Sequence, residues 1–183
     1  MAQILEGTSK VLLFRELGKA EAFTLVLQQE HEGSLSRERE SVATKFGTVS
    51  RAGALEDEVS ITAIQAKDDP ATKKLKDAVR FSKPLELWEV NLAVKHNEQE
   101  NQFASEYRQG YLTEWTETNP SEDDPTVEGT FMTHGDYQEG FVTMPEEYRD
   151  IANVLGYKFH DAVASDIATD GLASLPEDKN LEA

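Results

Sequence analysis

The chain has 183 residues, 18 of them basic and 35 acidic, for a formal net charge of -17. That balance excludes a protein that grips nucleic-acid phosphates through counterion release, and the absence of cysteine excludes disulfides and thiolate chemistry. No apolar run approaches the ~18 residues of a membrane span, and the start, MAQILEGTSK, lacks a signal-peptide pattern, so synthesis in the cytoplasm without a membrane partner is expected.

Lys10 to Leu17, KVLLFREL, reads as a short strand between Gly7 and Gly18. Ala22 to Glu30 is again strand-like, with Phe23, Leu25 and Leu27 on one face. Gly33 to Leu55 follows, glycine-containing, poor in large apolar groups and locally basic in an acidic chain, with Arg37, Arg39, Lys45 and Arg51 and the aromatic Phe46. It reads as a long loop joining two strands of one hairpin. An ordinary solvated loop would have this composition, but structureless connections beyond ~12 to 15 residues are uncommon in compact domains and often functional. A basic loop on an acidic body could dock on another copy of the chain. Asp57 to Lys67 resumes the alternation with Val59, Ile61 and Ala63.

The spacing predicts a helix over Asp69 to Ser82. Asp69 caps it, Pro70 opens it, Ala71, Leu75, Ala78 and Val79 form its apolar stripe, and Pro84 stops it. Leu85 to Met144 reads as four strands of a mostly antiparallel sheet. The first, LELWEVNLAV, is apolar on both faces and must be covered on both, or bulged. In the second, alternation from Phe103 puts Tyr107, Tyr111 and Trp115 on an aromatic face and Glu106, Arg108 and Glu114 on a charged one. His134-Gly135-Asp136 has a turn composition. A short second helix is expected from Thr143 to Gly156, and from Asp161 the chain becomes small and acidic, an extended arm. The domain expectation is therefore a body over residues 1–160 and an arm over 161–183.

Chemistry is nearly absent. His31, His96, His134 and His160 lie far apart without a second ligand at helical or hairpin spacing, and Glu122, Asp123 and Asp124 sit in a Pro-bounded turn without calcium-loop spacing. No nucleophile elbow, phosphate loop or zinc-protease motif occurs. No catalytic residue, metal or cofactor is expected, and the chain does not read as an enzyme. The aromatic row could stack single-stranded bases, but the acidity of the chain favours core or subunit packing.

The order of KVLLFREL, FTLVLQQEH, ALEDEVSI, DPATKKLKDAV, LELWEVNL and YRQGYLTEWTE resembles the major tail proteins of siphophages of Gram-positive bacteria, the subunits of the tail tube. The resemblance spans about Ser9 to Met144, and ELWEVN and GYLTEW are its most specific pieces. It implies a mainly β fold, two packed antiparallel sheets of sandwich or barrel type with a flanking helix. It further implies hexameric rings stacked into a tube in the virion, through which DNA passes without specific binding, and the tape measure, tail terminator and distal tail proteins as partners. The loop of such proteins reaches the adjacent ring, so Arg37, Arg39, Lys45, Phe46 and Arg51 become candidate inter-ring contacts. Carboxylates lining the lumen would repel DNA, which makes Glu106 and Glu114 candidate lumen charges. A monomeric β-sandwich displaying the loop to some partner, or a secretion-system tube relative, are the competing readings.

Overall fold

A computed structural model describes residues 10–25, 27–66, 69–97, 101–145 and 148. The chain divides into two units, Met1–Val142 and Thr143–Ala183. In the second, the described residues are 143–145 and 148, so the expected C-terminal helix and acidic arm fall outside them.

The first unit is mainly β with one flanking helix, as expected. Its strands are β1 (Lys10–Glu16), β2 (Ala22–Phe23), β3 (Gln28–Thr44), β4 (Gly47–Ile64), β5 (Pro84–Lys95), β6 (Gln102–Thr118), β7 (Thr126–Thr133) and β8 (Gln138–Thr143). All are hydrogen-bonded into a single sheet in the order β2-β1-β5-β6-β7-β4-β3, with β8 also on β6, and every pairing with a defined register is antiparallel. The sheet curls over, bringing distant strands together. His31 on β3 and Glu89 on β5 stand four strand positions apart, roughly 19 Å in a flat sheet, yet their side chains approach to 3.8 Å. The Thr24 hydroxyl donates to the Leu12 carbonyl at 2.6 Å, and the Leu12 N–H donates to Gln28 Oε1 at 3.2 Å, tying β1 to the start of β3. The sandwich-like packing thus comes from one curled sheet.

The inner side of this curl is the core. Leu12 and Phe14 of β1, Leu85 and Leu87 of β5, Leu112 of β6, Val127 and Phe131 of β7, and Val59, Ile61 and Ala63 of β4 meet there. Helix α1 (Pro70–Arg80) completes it with Ala71, Leu75 and Ala78, the stripe read from the sequence. Its start is set by Asp69, whose Oδ1 accepts the Ala71 N–H at 2.9 Å, with Pro70 in the first turn where a missing N–H costs nothing. The Lys76 ammonium reaches Glu117 at 2.9 Å and Lys74 lies 4.9 Å over the Phe23 ring, so the polar face also holds the helix down.

Two expectations change. Ala22 to Glu30 is not one strand: β2 ends at Phe23, Leu25 is buried, Leu27 is exposed, and β3 starts at Gln28. Gly33 to Leu55 is not a loop. β3 and β4 pair from Gln28↔Ala63 out to Thr44↔Gly47, leaving only Lys45 and Phe46 as the turn. The turn closes because Gly47 takes a φ of 132°, which a β-carbon would oppose, and because the Thr44 hydroxyl donates to the Gly47 carbonyl at 2.6 Å and accepts the Phe46 N–H. Neighbouring β7 covers β4 only from Glu58 to Ile64. Beyond it the hairpin continues as a free two-stranded ribbon, about ten residues or roughly 33 Å long at the usual rise per residue, in which every residue from Glu32 to Ala54 is exposed.

Candidate functional site

Three surfaces carry the features that fold and hydrophobic packing leave over: the ribbon, the outer face of the sheet, and a charged network at the base of the ribbon.

The ribbon holds all five of the sequence-predicted contact residues. Arg37 pairs with Leu55, Arg39 with Ala52 and Arg51 with Glu40, while Lys45 and Phe46 form the tip, where Phe46 is 102% exposed. Leu35, Val42 and Val49 are also exposed. None of the four basic side chains makes an ion pair among the described residues. An isolated two-stranded hairpin is marginal in water, because neither face is buried to offset the ordering of its backbone. A ribbon of this length places apolar side chains in solvent on an otherwise well-packed body.

The outer face is the side of the sheet away from the core. In the β6–β7–β4–β3 half, cross-strand register places on it Glu30 and Glu32 of β3, Glu56 and Glu58 of β4, Glu128 of β7 and Glu114 of β6, all exposed. Ser60, Thr62, Thr116 and Thr130 fill the spaces between them, and no Lys or Arg of these four strands shares that face of the body. The β1–β5 half differs, since its charges are paired there. Arg15 holds Glu86 through two contacts, Nε to Oε2 at 2.6 Å and Nη2 to Oε1 at 3.0 Å, and Tyr107 donates to the same carboxylate at 2.7 Å. Arg15 holds Glu86 below its ordinary pKa, against the opposing effect of burial.

Of the two predicted lumen charges, Glu114 lies on this carboxylate face and Glu106 does not. Leu112 pairs with Phe131 and Glu114 with Thr130, so Thr113 is an extra residue, a β-bulge that reverses the alternation of β6. Before it Arg108, Gly110 and Leu112 face inward; after it Trp115 does, packed beside Leu112 against Gly129. The single aromatic face expected from the sequence is therefore divided: Tyr107 and Tyr111 point outward, Tyr111 44% exposed, and Trp115 joins the core.

Glu106 belongs to the third surface, a set of charges on the inner side that sequence reasoning missed. Arg108, only 3% exposed, donates from Nε to Asp57 Oδ2 at 2.9 Å and from Nη2 to Glu106 at 2.7 Å, and lies 5.0 Å over the Tyr137 ring. Its Nη1 stands 3.8 Å from Glu89, which also pairs with Lys10 and faces His31. Burial disfavours the charged guanidinium, but Glu106 and Asp57 outweigh it and hold the Arg108 pKa above its ordinary value. Glu89 is held down at about 2 by His31 and Lys10, against burial. Asp57 Oδ1 and Arg108 Nη1 are buried without a hydrogen-bond partner. The network joins β1, β3, β4, β5 and β6 where the ribbon leaves the body, so it fixes the ribbon's base. Glu106 and Arg108, opposite charges two residues apart on the strand face that also holds Gly110 and Leu112, were the available sequence signal.

Among the described residues, no group of His, Cys, Asp or Glu is arranged to hold a metal ion, and no helix is long and apolar enough to cross a membrane.

Comparison with known proteins agrees with this geometry. The chain is 26% identical over 182 residues to a protein of Staphylococcus phage phiMR25 described as a tail protein, covering 98% of this chain and 94% of that one. Its fold is similar to the SPP1 tail tube, with a TM-score of 0.68 at 18% identity over 86% of this chain and 92% of the other. It is also similar to the tail of an empty gene transfer agent particle refined with helical C6 symmetry, with a TM-score of 0.58 at 12% identity over 76% and 99% of the two chains. The family model of the phage tail tube protein matches residues 4–139, and the chain belongs to that family, a structural component of the virion tail.

Proposed function

We propose that copies of this chain close into six-membered rings, that the rings stack into a tube, and that the tube conducts DNA during ejection. The observation that carries this is the ribbon: about ten residue pairs of ordered strand with solvent on both faces, which gain stability only on a neighbour. Ring closure would also cover the outer edges of β3 and β2, which lack a partner strand within the sheet order. The C6 symmetry of the gene transfer agent tail supports the six-fold ring.

In this arrangement the carboxylate face lines the lumen. Glu30, Glu32, Glu58, Glu114 and Glu128 have no basic neighbour on that face of the body to offset them. Nucleic-acid binding depends on cations replacing condensed counterions, and a wall of carboxylates and hydroxyls beside the exposed Met132, without Lys or Arg from these strands, supplies none. DNA would slide along it without a sticking point. Glu106, bound to Arg108 on the inner side, has no part in this wall. Assembly in the host cytoplasm alongside tape measure, terminator and distal tail proteins completes the reading.

The test is electron microscopy of the purified protein over a concentration series, beside a variant in which Ser36 and Glu56, which face each other across the hairpin, are joined by Asn-Gly in place of residues 37–55. The two-residue turn matches strand twist, so the body should fold unchanged. Tubes from the parent and none from the variant are expected. A parent that stays monomeric at every concentration, or a variant that forms normal tubes, would contradict the proposal.

A further inference from the structure

The two faces of the ribbon are chemically different. Pairing runs in step from Ser34↔Glu58 to Arg37↔Leu55, then resumes at Arg39↔Ala52. Gly53 and Ala54 of β4 therefore stand opposite Glu38 alone, and a β-carbon on Gly53 would meet the Glu38 carbonyl at 3.2 Å. The extra residue is on β4, so β3 keeps its alternation through the bulge. Leu35, Arg37, Arg39 and Ala43 share one face, continuous with the inner side of the sheet, and Leu55 and Ala52 join them from β4. Ser36, Glu38, Glu40 and Val42 share the other face, continuous with the carboxylate side, where Arg51 stands opposite Glu40.

The first face is thus apolar and basic, without a carboxylate between Leu35 and Ala43. The second carries Glu38, Glu40 and Glu56, with Arg51 opposite Glu40 and Val49 opposite Val42. Arg37 and Arg39 are exposed and make no ion pair among the described residues, in a chain whose net charge is -17. The surface complementary to two free guanidiniums on an apolar strip is an acidic one, and the rest of this chain is acidic.

We infer that the Leu35–Arg37–Arg39 face of the ribbon, and not the Glu38–Glu40 face, lies on a second copy of the chain. This rests on the ribbon as an arm between subunits and adds which side of it makes the contact. The opposite side, with Glu38, Glu40 and Arg51, then remains in register with the carboxylate wall.

Arg39 and Arg51 provide a matched test, since they carry the same charge on opposite faces of the same ribbon. The critical concentration for tube formation is measured by sedimentation for the parent, Arg39→Gln and Arg51→Gln. Both positions are exposed strand sites, and unchanged circular dichroism and melting of the monomers verify the fold. A charge-assisted hydrogen bond lost at an interface corresponds to roughly a tenfold change or more. Arg39→Gln is expected to raise the critical concentration about tenfold, Arg37→Gln comparably, and Arg51→Gln by less than about twofold. Equal effects at Arg39 and Arg51, no effect at either, or a larger effect at Arg51 would overturn the assignment of faces. A parent that forms no tubes would instead remove the arm reading itself, and this inference with it.

Discussion

Replacing Arg108 by Met probes how the ribbon is anchored. The substitution keeps most of the volume but leaves Asp57, whose side chain is 0% exposed, with no cation, and deprives Glu89 of one of its three basic neighbours. Removing one partner of a buried ion pair costs about 3 to 5 kcal/mol, because the remaining charge stays out of water. The lower end is expected, since Lys10 and His31 still stand beside Glu89. For a chain of this size each kcal/mol shifts the melting temperature by about 2 to 4 °C, so a fall of roughly 6 to 12 °C follows. Thermal and urea unfolding of the unassembled protein, followed by circular dichroism, measures it. Adding Asp57→Leu removes the stranded carboxylate, and the double variant should recover more than half of the loss, as hydrophobic replacement of buried pairs often does. A loss below about 1 kcal/mol for Arg108→Met, or a double variant worse than the sum of the singles, would refute this view of the network.

Three further outcomes follow. Glu89 has a folded pKa of about 2 against an ordinary 4.5, so the stability it contributes is complete above pH 4.5 and is lost as pH falls toward 2. Glu89→Gln should flatten the pH dependence of urea unfolding within that window, on the order of 3 kcal/mol at most, and leave its slope above pH 5 unchanged. Gly110→Ala places a β-carbon on the Met132 carbonyl and against the Phe131 ring, so the β6–β7 ladder must open; soluble expression should fall sharply, whereas Gly140→Ala, with open space around it, should express normally. Leu75→Ala empties the centre of the helix–sheet contact, where the side chain is fully buried, and should cost about 2 to 5 kcal/mol in urea unfolding.

Elements with one buried face were legible in the sequence. The α1 stripe, its Asp69 cap and the alternation of β7 rest on a contrast between apolar and polar positions, which burial on one side produces, while β1 and β5, buried on both faces, showed as runs of large apolar residues. The ribbon has no such contrast. Both its faces meet solvent, so Ser, Arg, Glu and Thr occupy both, and the alternation that signals a strand is absent from Ser34 to Ala54. Its basic character was visible, but the side to which Arg51 belongs depends on a bulge at Gly53 and Ala54 that composition does not reveal. The same limit separated Glu106 from Glu114. A strict period of two put them on one face, and the extra Thr113 put them on opposite faces. The buried network lay further out of reach, since His31 of β3 and Asp57 of β4 meet Glu89 of β5 and Arg108 of β6 only through the curl of the sheet.

Helical reconstruction of the assembled tube by cryo-electron microscopy bears most directly on the proposed conduit. Density with Glu58, Glu114 and Glu128 turned to the lumen, and the ribbon laid on a subunit of the next ring, is the expected result. A tube whose lumen is lined by the helix side of the sheet, with those carboxylates on the exterior, would contradict it.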